Sequence, residues 1–142
     1  MQKEQVRRFY AVLWDSHDKS AMASVLHEEV TFRGSLGQEK RGHAGFGEYV
    51  DMVHSALAEY RCHIETLVEE GEQVFARMRF TGLHRGRFMG YAPTGKRVTW
   101  NGCALFTFAG ERIPDIWVLG DLKSLEAQLE TNQAPGSGSS PG

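Results

Sequence analysis

Cysteine is nearly absent from this sequence: Cys62 and Cys103 are the only two. Neither belongs to a C-x-x-C pair, which excludes a zinc ribbon and a dithiol redox motif. Isolated thiols in strand-like segments read instead as small buried hydrophobes. No charge sign dominates either. The formal net charge is -2 over 142 residues, without a long block of like charges. A nucleic-acid partner is therefore not expected, and the short basic spots at Lys40-Arg41, Arg85 with Arg87, and Lys96-Arg97 read as solvated loop charge. No apolar run approaches the roughly 18 residues of a membrane helix. The opening MQKEQVRRFY is charged where a leader would carry an apolar core. The expectation is a soluble, cytoplasmic chain with no membrane partner.

The common chemistry-bearing motifs are missing too. No two histidines stand at metal-ligand spacing on a helix beside a carboxylate. His17, His27 and His54 read as surface or helix-end residues. There is no G-x-S-x-G elbow and no P-loop. The glycine-rich stretch from Gly86 to Gly95 falls between strands, so it reads as a pocket rim and not as a phosphate cradle. Neither a metal nor a cofactor is expected.

What is present suits one globular domain. The chain is 41% hydrophobic and 24% charged, ordinary values for a length that fits a single core. Val6, Phe9, Tyr10, Leu13 and Trp14 recur at helical spacing from Glu4 onward. Asp18 or Ser20 can cap a second short helix carrying Met22, Val25 and Leu26. A short strand, Val30 to Phe32, and a polar loop from Gly34 to Arg41 precede a third helix from about His43 to Leu57. The period then changes from 3.6 to 2. Cys62, Ile64, Thr66 and Val68 form one alternating set; Val74, Ala76, Met78 and Phe80 form the next. Val98, Trp100, Gly102, Ala104 and Phe106 make a third, and Ile113 to Leu119 a last strand. A short helix with Leu122, Leu125 and Leu129 closes the domain.

Helices followed by a meander of hairpin-linked strands predict an α+β layer fold: three N-terminal helices on a curved antiparallel sheet, shaped as a cone with an open mouth. The domain is placed at residues 1–130. The stretch 131–142, rich in Gly, Ser and Pro, is expected to be a disordered tail.

Local sequence narrows the fold further. Gly82-Leu83-His84-Arg85-Gly86-Arg87-Phe88-Met89-Gly90 is followed by Pro93-Thr94-Gly95-Lys96-Arg97-Val98, then Gly110-Glu111-Arg112-Ile113 and Trp117-Val118-Leu119-Gly120-Asp121. Together with Arg41-Gly42-His43 this series resembles the SnoaL-like polyketide cyclases, within the nuclear-transport-factor-like and cystatin-like cone folds. The resemblance covers roughly residues 4 to 130. It implies a cofactor-free aldol cyclase whose acid/base group is an acidic residue on the last strand, a position matched here by Asp121.

The residues themselves leave Asp121 two roles. Trp117, Leu119 and Asp121 share one strand face. If that face is inward, the carboxylate ends an apolar stripe that would raise its pKa toward general-base values. Alternatively Asp121 caps the last helix just before Leu122. His84 could donate to a ligand carbonyl or stabilise an enolate, or it could order the loop that follows it. Trp14, His43, Phe46, Tyr49, Phe88, Trp100, Phe106 and Trp117 are the candidate substrate-binding residues, since a narrow cone leaves some of its rings on the cavity wall. Gly102 and Ala104 stand where some relatives of the family carry inward polar side chains, which predicts a roomier, less polar pocket.

Three functions compete: a cofactor-free acid/base cyclase or isomerase acting on a hydrophobic carbonyl compound, a non-catalytic binding domain for a small apolar ligand, and an epoxide hydrolase-like enzyme. The last needs two carboxylates and an arginine around one water, and Arg77 and Arg79 fall on the wrong face for it. The outer sheet face, with Arg77, Arg79, Thr99 and Thr107 beside Phe75, Cys103 and Leu105, predicts a homodimer.

Overall fold

The structure is a computed structural model and describes residues 2–133. Helix α1 (Gln2–Arg8) widens into a π-helical stretch over Phe9–Asp15, which keeps Phe9, Tyr10, Leu13 and Trp14 buried together. Asp18 caps a 3₁₀ turn by accepting the Ser20 N–H at 3.1 Å, the capping its position predicts. Then follow α2 (Met22–Val25), β1 (Leu26–Arg33), β2 (Glu39–Arg41), α3 (Gly42–Ala56), β3 (Leu57–Glu70) and β4 (Gln73–His84). After a loop come β5 (Arg97–Ala109), β6 (Arg112–Gly120) and α4 (Leu122–Asn132). α4 runs two residues past the expected domain end at 130; the expected tail from 134 onward lies outside the described residues.

The six strands form one sheet in the order β2-β1-β6-β5-β4-β3. It is mixed, where a purely antiparallel sheet was predicted: β1 pairs with β6 in parallel. Five elements separate these two strands in sequence, so no hairpin forces them antiparallel. β2 occupies part of the expected polar loop and pairs with β1. α3 lies across the inner face, burying Phe46, Tyr49, Val50 and Val53 as its periodicity predicts.

Two strands change face part-way. In β3 the register slips between Ile64 and Thr66, so Thr66 and Val68 turn outward and Val68 is 53% exposed. In β6 Ile113 is buried, yet so are Ile116 and Val118, with Pro114 at the slip. Trp117 and Leu119 therefore point outward, 42% and 46% exposed. They share a face as predicted, but it is the outer one; a one-residue slip exchanges the faces of everything beyond it. β5 alternates as read from the sequence, with Cys103 half-buried on the outer side and not in the core.

β6 ends opposite Gly102, leaving the start of β5 without a strand neighbour on that side, while β4 pairs with it on the other. α4 covers that edge. The Gln128 amide accepts the Thr99 N–H at 2.9 Å and donates to the Thr99 carbonyl at 2.6 Å, standing in for a strand. The opposite edge is held by Asp15, whose carboxylate accepts the Cys62 N–H at 3.0 Å.

Candidate functional site

Between α3, the π-helical stretch and the inner face of the sheet lies an aromatic cavity. Tyr10 and Trp14 reach it from the π-helical stretch, Tyr49 and Val53 from α3, and Tyr60, Phe80, Trp100 and Val118 from four strands. Phe88 closes it from the β4–β5 loop, Ser35 and Leu36 from the β1–β2 loop. Its volume is ≈ 20 Å³, room for about one water molecule. The rings pack edge to face and tilted: Phe80 lies 5.2 Å from Trp100, and Trp14 lies 5.9 Å from Tyr49.

The polar groups in this wall are few and neutral. Tyr49 accepts the Leu36 N–H at 3.3 Å through its hydroxyl, fastening the β1–β2 loop over the cavity. The Tyr10 hydroxyl and the Trp100 indole nitrogen are buried without a hydrogen-bond partner. Burial pushes the Tyr10 and Tyr60 phenols well above their ordinary value, with smaller contributions from neighbouring thiols and phenols. They therefore stay protonated. Among the described residues, no Asp or Glu lines the cavity.

Of the expected binding residues, the structure brings together Trp14, Tyr49, Phe88 and Trp100. Phe46 and Phe106 are fully buried core rings behind the wall. His43 is half-buried at the start of α3 and holds the Leu26 carbonyl at 3.2 Å, away from the cavity. Trp117 stands on the outer face, with the Arg33 guanidinium 5.5 Å above its ring. His84 is fully buried on the inner face of β4, behind Phe88, with Nε2 unpartnered and Nδ1 3.4 Å from the Thr94 hydroxyl. Burial lowers its pKa, and nearby backbone groups of Tyr91 and Gly86 oppose this only in part, so the imidazole is neutral near pH 7.

Comparison with known proteins bears directly on this cone. The family model for SnoaL-like polyketide cyclases matches residues 4–129. The chain belongs to that family. Among solved structures, a provisionally assigned polyketide cyclase of Acidithiobacillus ferrooxidans superposes with a TM-score of 0.82 at 22% identity, covering 92% of this chain and 94% of that one. A second, from Jannaschia sp. CCS1, gives 0.82 at 20%, covering 91% of each. TsrD from Streptomyces laurentii gives 0.79 at 24%, covering 89% of this chain and 92% of its own. These likenesses establish the SnoaL-like fold. No curated protein sequence matches the chain.

Two features set this SnoaL-like chain apart from the reading its sequence invites. Asp121 is exposed at the N-terminus of α4, where its carboxylate accepts the Ser124 N–H at 3.1 Å; it does not line the cavity. The smallness of Gly102 does not enlarge the pocket. The Phe80 ring lies over it, so a Cβ there would sit 2.5 Å from the ring and 2.8 Å from the Leu119 carbonyl. The space left by a missing side chain is filled by an aromatic one.

Tyr10, Phe32, Tyr60 and Phe80 line the site without having been singled out. Tyr10 and Trp14 are one helical turn apart, so a wall residue at one implied the other. Tyr60 continues the alternation of Cys62 and Ile64 backward, a signal that β3 begins earlier. Phe80 pairs with Trp100 across β4 and β5, a contact that needed the strand register.

Proposed function

We propose that this SnoaL-like domain binds a small, flat, largely apolar molecule bearing a neutral carbonyl or similar oxygen acceptor. The observation that carries this is the pair of unpartnered donors, the Tyr10 hydroxyl and the Trp100 indole N–H, in an otherwise aromatic wall. Buried polar groups ordinarily have partners, and oxygen acceptors on a bound ligand would supply them. A charged ligand would be desolvated without a counter-charge, which disfavours it. The polyketide-like carbonyl compounds suggested by the family fit this chemistry. The test is native mass spectrometry of the chain against a panel of neutral aromatic ketones, with Tyr10→Phe and Trp100→Phe as controls. Retention of ketones by the unaltered chain and weaker retention by both variants supports the reading.

A cofactor-free enolisation or aldol-type cyclisation is the second reading. Family membership favours it, as does a neutral imidazole, His84, directly behind the wall. Buried hydroxyl and indole donors can stabilise a developing enolate oxygen, and the proton acceptor would be His84 instead of Asp121. Turnover assays on any retained ketone separate binding from chemistry.

For the assembly, we propose a homodimer through the outer sheet face. Among the described residues, all four exposed large hydrophobics, Val68, Phe75, Trp117 and Leu119, lie there. Val68, Phe75, Leu105 and Trp117 pair in register across four strands as one apolar row. Arg77 and Arg79 flank it on one side, Glu70 and Asp115 on the other. A two-fold axis along the row sets each basic flank against the partner's acidic flank, so the occupant that fits is a second copy.

A further inference from the structure

The cavity as it stands admits about one water, so any organic ligand must displace part of its wall. Most of that wall is anchored in helices and strands. Phe88 is not: it belongs to the loop between β4 and β5. Its ring lies 6.4 Å from Trp100 on one side and 6.3 Å from His84 on the other. It is thus a single-ring partition between the cavity and a buried imidazole.

The loop is tied firmly at its root and lightly at its tip. The His84 backbone N–H donates to the Lys96 carbonyl at 2.9 Å, and the His84 carbonyl accepts from Gly95 at 2.8 Å and Thr94 at 3.2 Å. At the tip, Phe88 and Tyr91 exchange two backbone hydrogen bonds across a two-residue turn, with Met89 and Gly90 at positive φ. Arg87 and Gln133 add one side-chain bond each, to the carbonyls of Gly90 and Ala92. The tip is thus held to the rest of the fold by fewer hydrogen bonds than the root.

His84 lies on the same β4 face as Phe80, which lines the cavity, four residues further along. Its ring is fully buried and Nε2 has no partner. Resting on the binding role assigned above, we infer that Phe88 is a displaceable plug, and that its withdrawal joins His84 to the chamber as a ligand-contacting residue. The enlarged chamber then holds polar groups at two ends: Tyr10 and Trp100 on one side of the plug, His84 on the other. That arrangement fits an apolar ring system carrying oxygen functions at opposite ends, such as a neutral aromatic hydroxyketone, whose hydroxyl proton the unpartnered imidazole nitrogen can accept.

The probe is 2-acetyl-6-hydroxynaphthalene, whose ketone and hydroxyl stand at opposite ends of the ring system, titrated into the unaltered chain, Phe88→Ala, Phe88→Leu and the double variant Phe88→Ala with His84→Phe. Quenching of tryptophan emission gives Kd. The His84 ring signals in ¹⁵N-edited spectra report the contact. Melting temperatures and far-ultraviolet spectra identify the variants that remain folded. The expected result is at least about tenfold tighter binding for Phe88→Ala, an intermediate gain for Phe88→Leu, loss of most of the gain in the double variant, and a shift of the His84 signals on binding. Equal affinity with and without the Phe88 ring, or unmoved His84 signals in a complex that forms, overturns the plug while leaving the cavity reading standing. If no variant binds the probe and Tyr10→Phe changes nothing, both fail together. Unfolding of Phe88→Ala leaves Phe88→Leu and the ring signals of the unaltered chain to decide.

Discussion

The Asp121 carboxylate accepts the backbone N–H of Ser124 at 3.1 Å, closing the first turn of α4. An N-cap satisfies one of the helix's free donors, and this one is committed to that bond on the protein surface. Asp121→Asn preserves an acceptor and should leave melting temperature and ketone binding unchanged. Asp121→Ala should lower stability by about 0.5–2 kcal/mol, measured by denaturant unfolding. Loss of activity in a fully folded Asp121→Asn variant would return Asp121 to the chemistry.

Gly102 is held small by Phe80. Gly102→Ala should destabilise by about 1–3 kcal/mol, the usual cost of overpacking a core. Adding Phe80→Leu should recover part of that loss, because the ring is one of the two obstructions; the Leu119 carbonyl at 2.8 Å is the other. Full tolerance of Gly102→Ala in unfolding experiments would mean that the ring does not rest there.

Much of this fold could be read from the residues. The periodicity of α3 and the alternation of β5 follow directly from where Phe46, Tyr49, Val98 and Trp100 fall, and the Gly82-to-Val98 segment pointed to the family. The site was less legible, for one physical reason: alternation is a local rule, and two strands break it. Nothing in Ile113 to Leu119 announces a slip beside Pro114, yet that slip sends Trp117 outward and brings Val118 in. The same holds for Val68 beyond the irregularity after Ile64. The cavity wall depends on inter-strand register and on a π-helical stretch, neither of which is written in a single segment. The parallel β1–β6 pair is likewise a tertiary outcome of elements far apart in the chain.

Stability should fall in mild acid. His54 donates through Nε2 to the Trp14 carbonyl at 2.7 Å and stacks on His17 at 4.1 Å. Burial is the main cause that lowers its pKa, and His84 is lowered by burial as well. A base with a depressed folded pKa takes its proton more readily when unfolded. Its contribution is therefore intact above the unfolded value, about 6.5, and is lost as pH falls through the interval below it. Denaturant midpoints should drop between pH 7.5 and pH 5, and His54→Gln should flatten that slope. An identical slope in the variant would assign the acid sensitivity elsewhere.

The apolar row on the outer face makes a prediction about mass. Light scattering at micromolar concentration should give twice the chain mass. Leu105→Lys, in the middle of the row, should give a monomer with little change in melting of the isolated domain. A monomer for the unaltered chain contradicts the interface.

The most direct measurement is the binding of 2-acetyl-6-hydroxynaphthalene to the unaltered chain and to Tyr10→Phe and Trp100→Phe, read by titration calorimetry and native mass spectrometry. If the two buried donors are there to hold a ligand oxygen, the unaltered chain binds one equivalent, and each variant weakens it by roughly 5- to 150-fold, the equivalent of about 1–3 kcal/mol per lost partner. Equal binding by all three folded proteins, or none by any, contradicts the cavity as the ligand site.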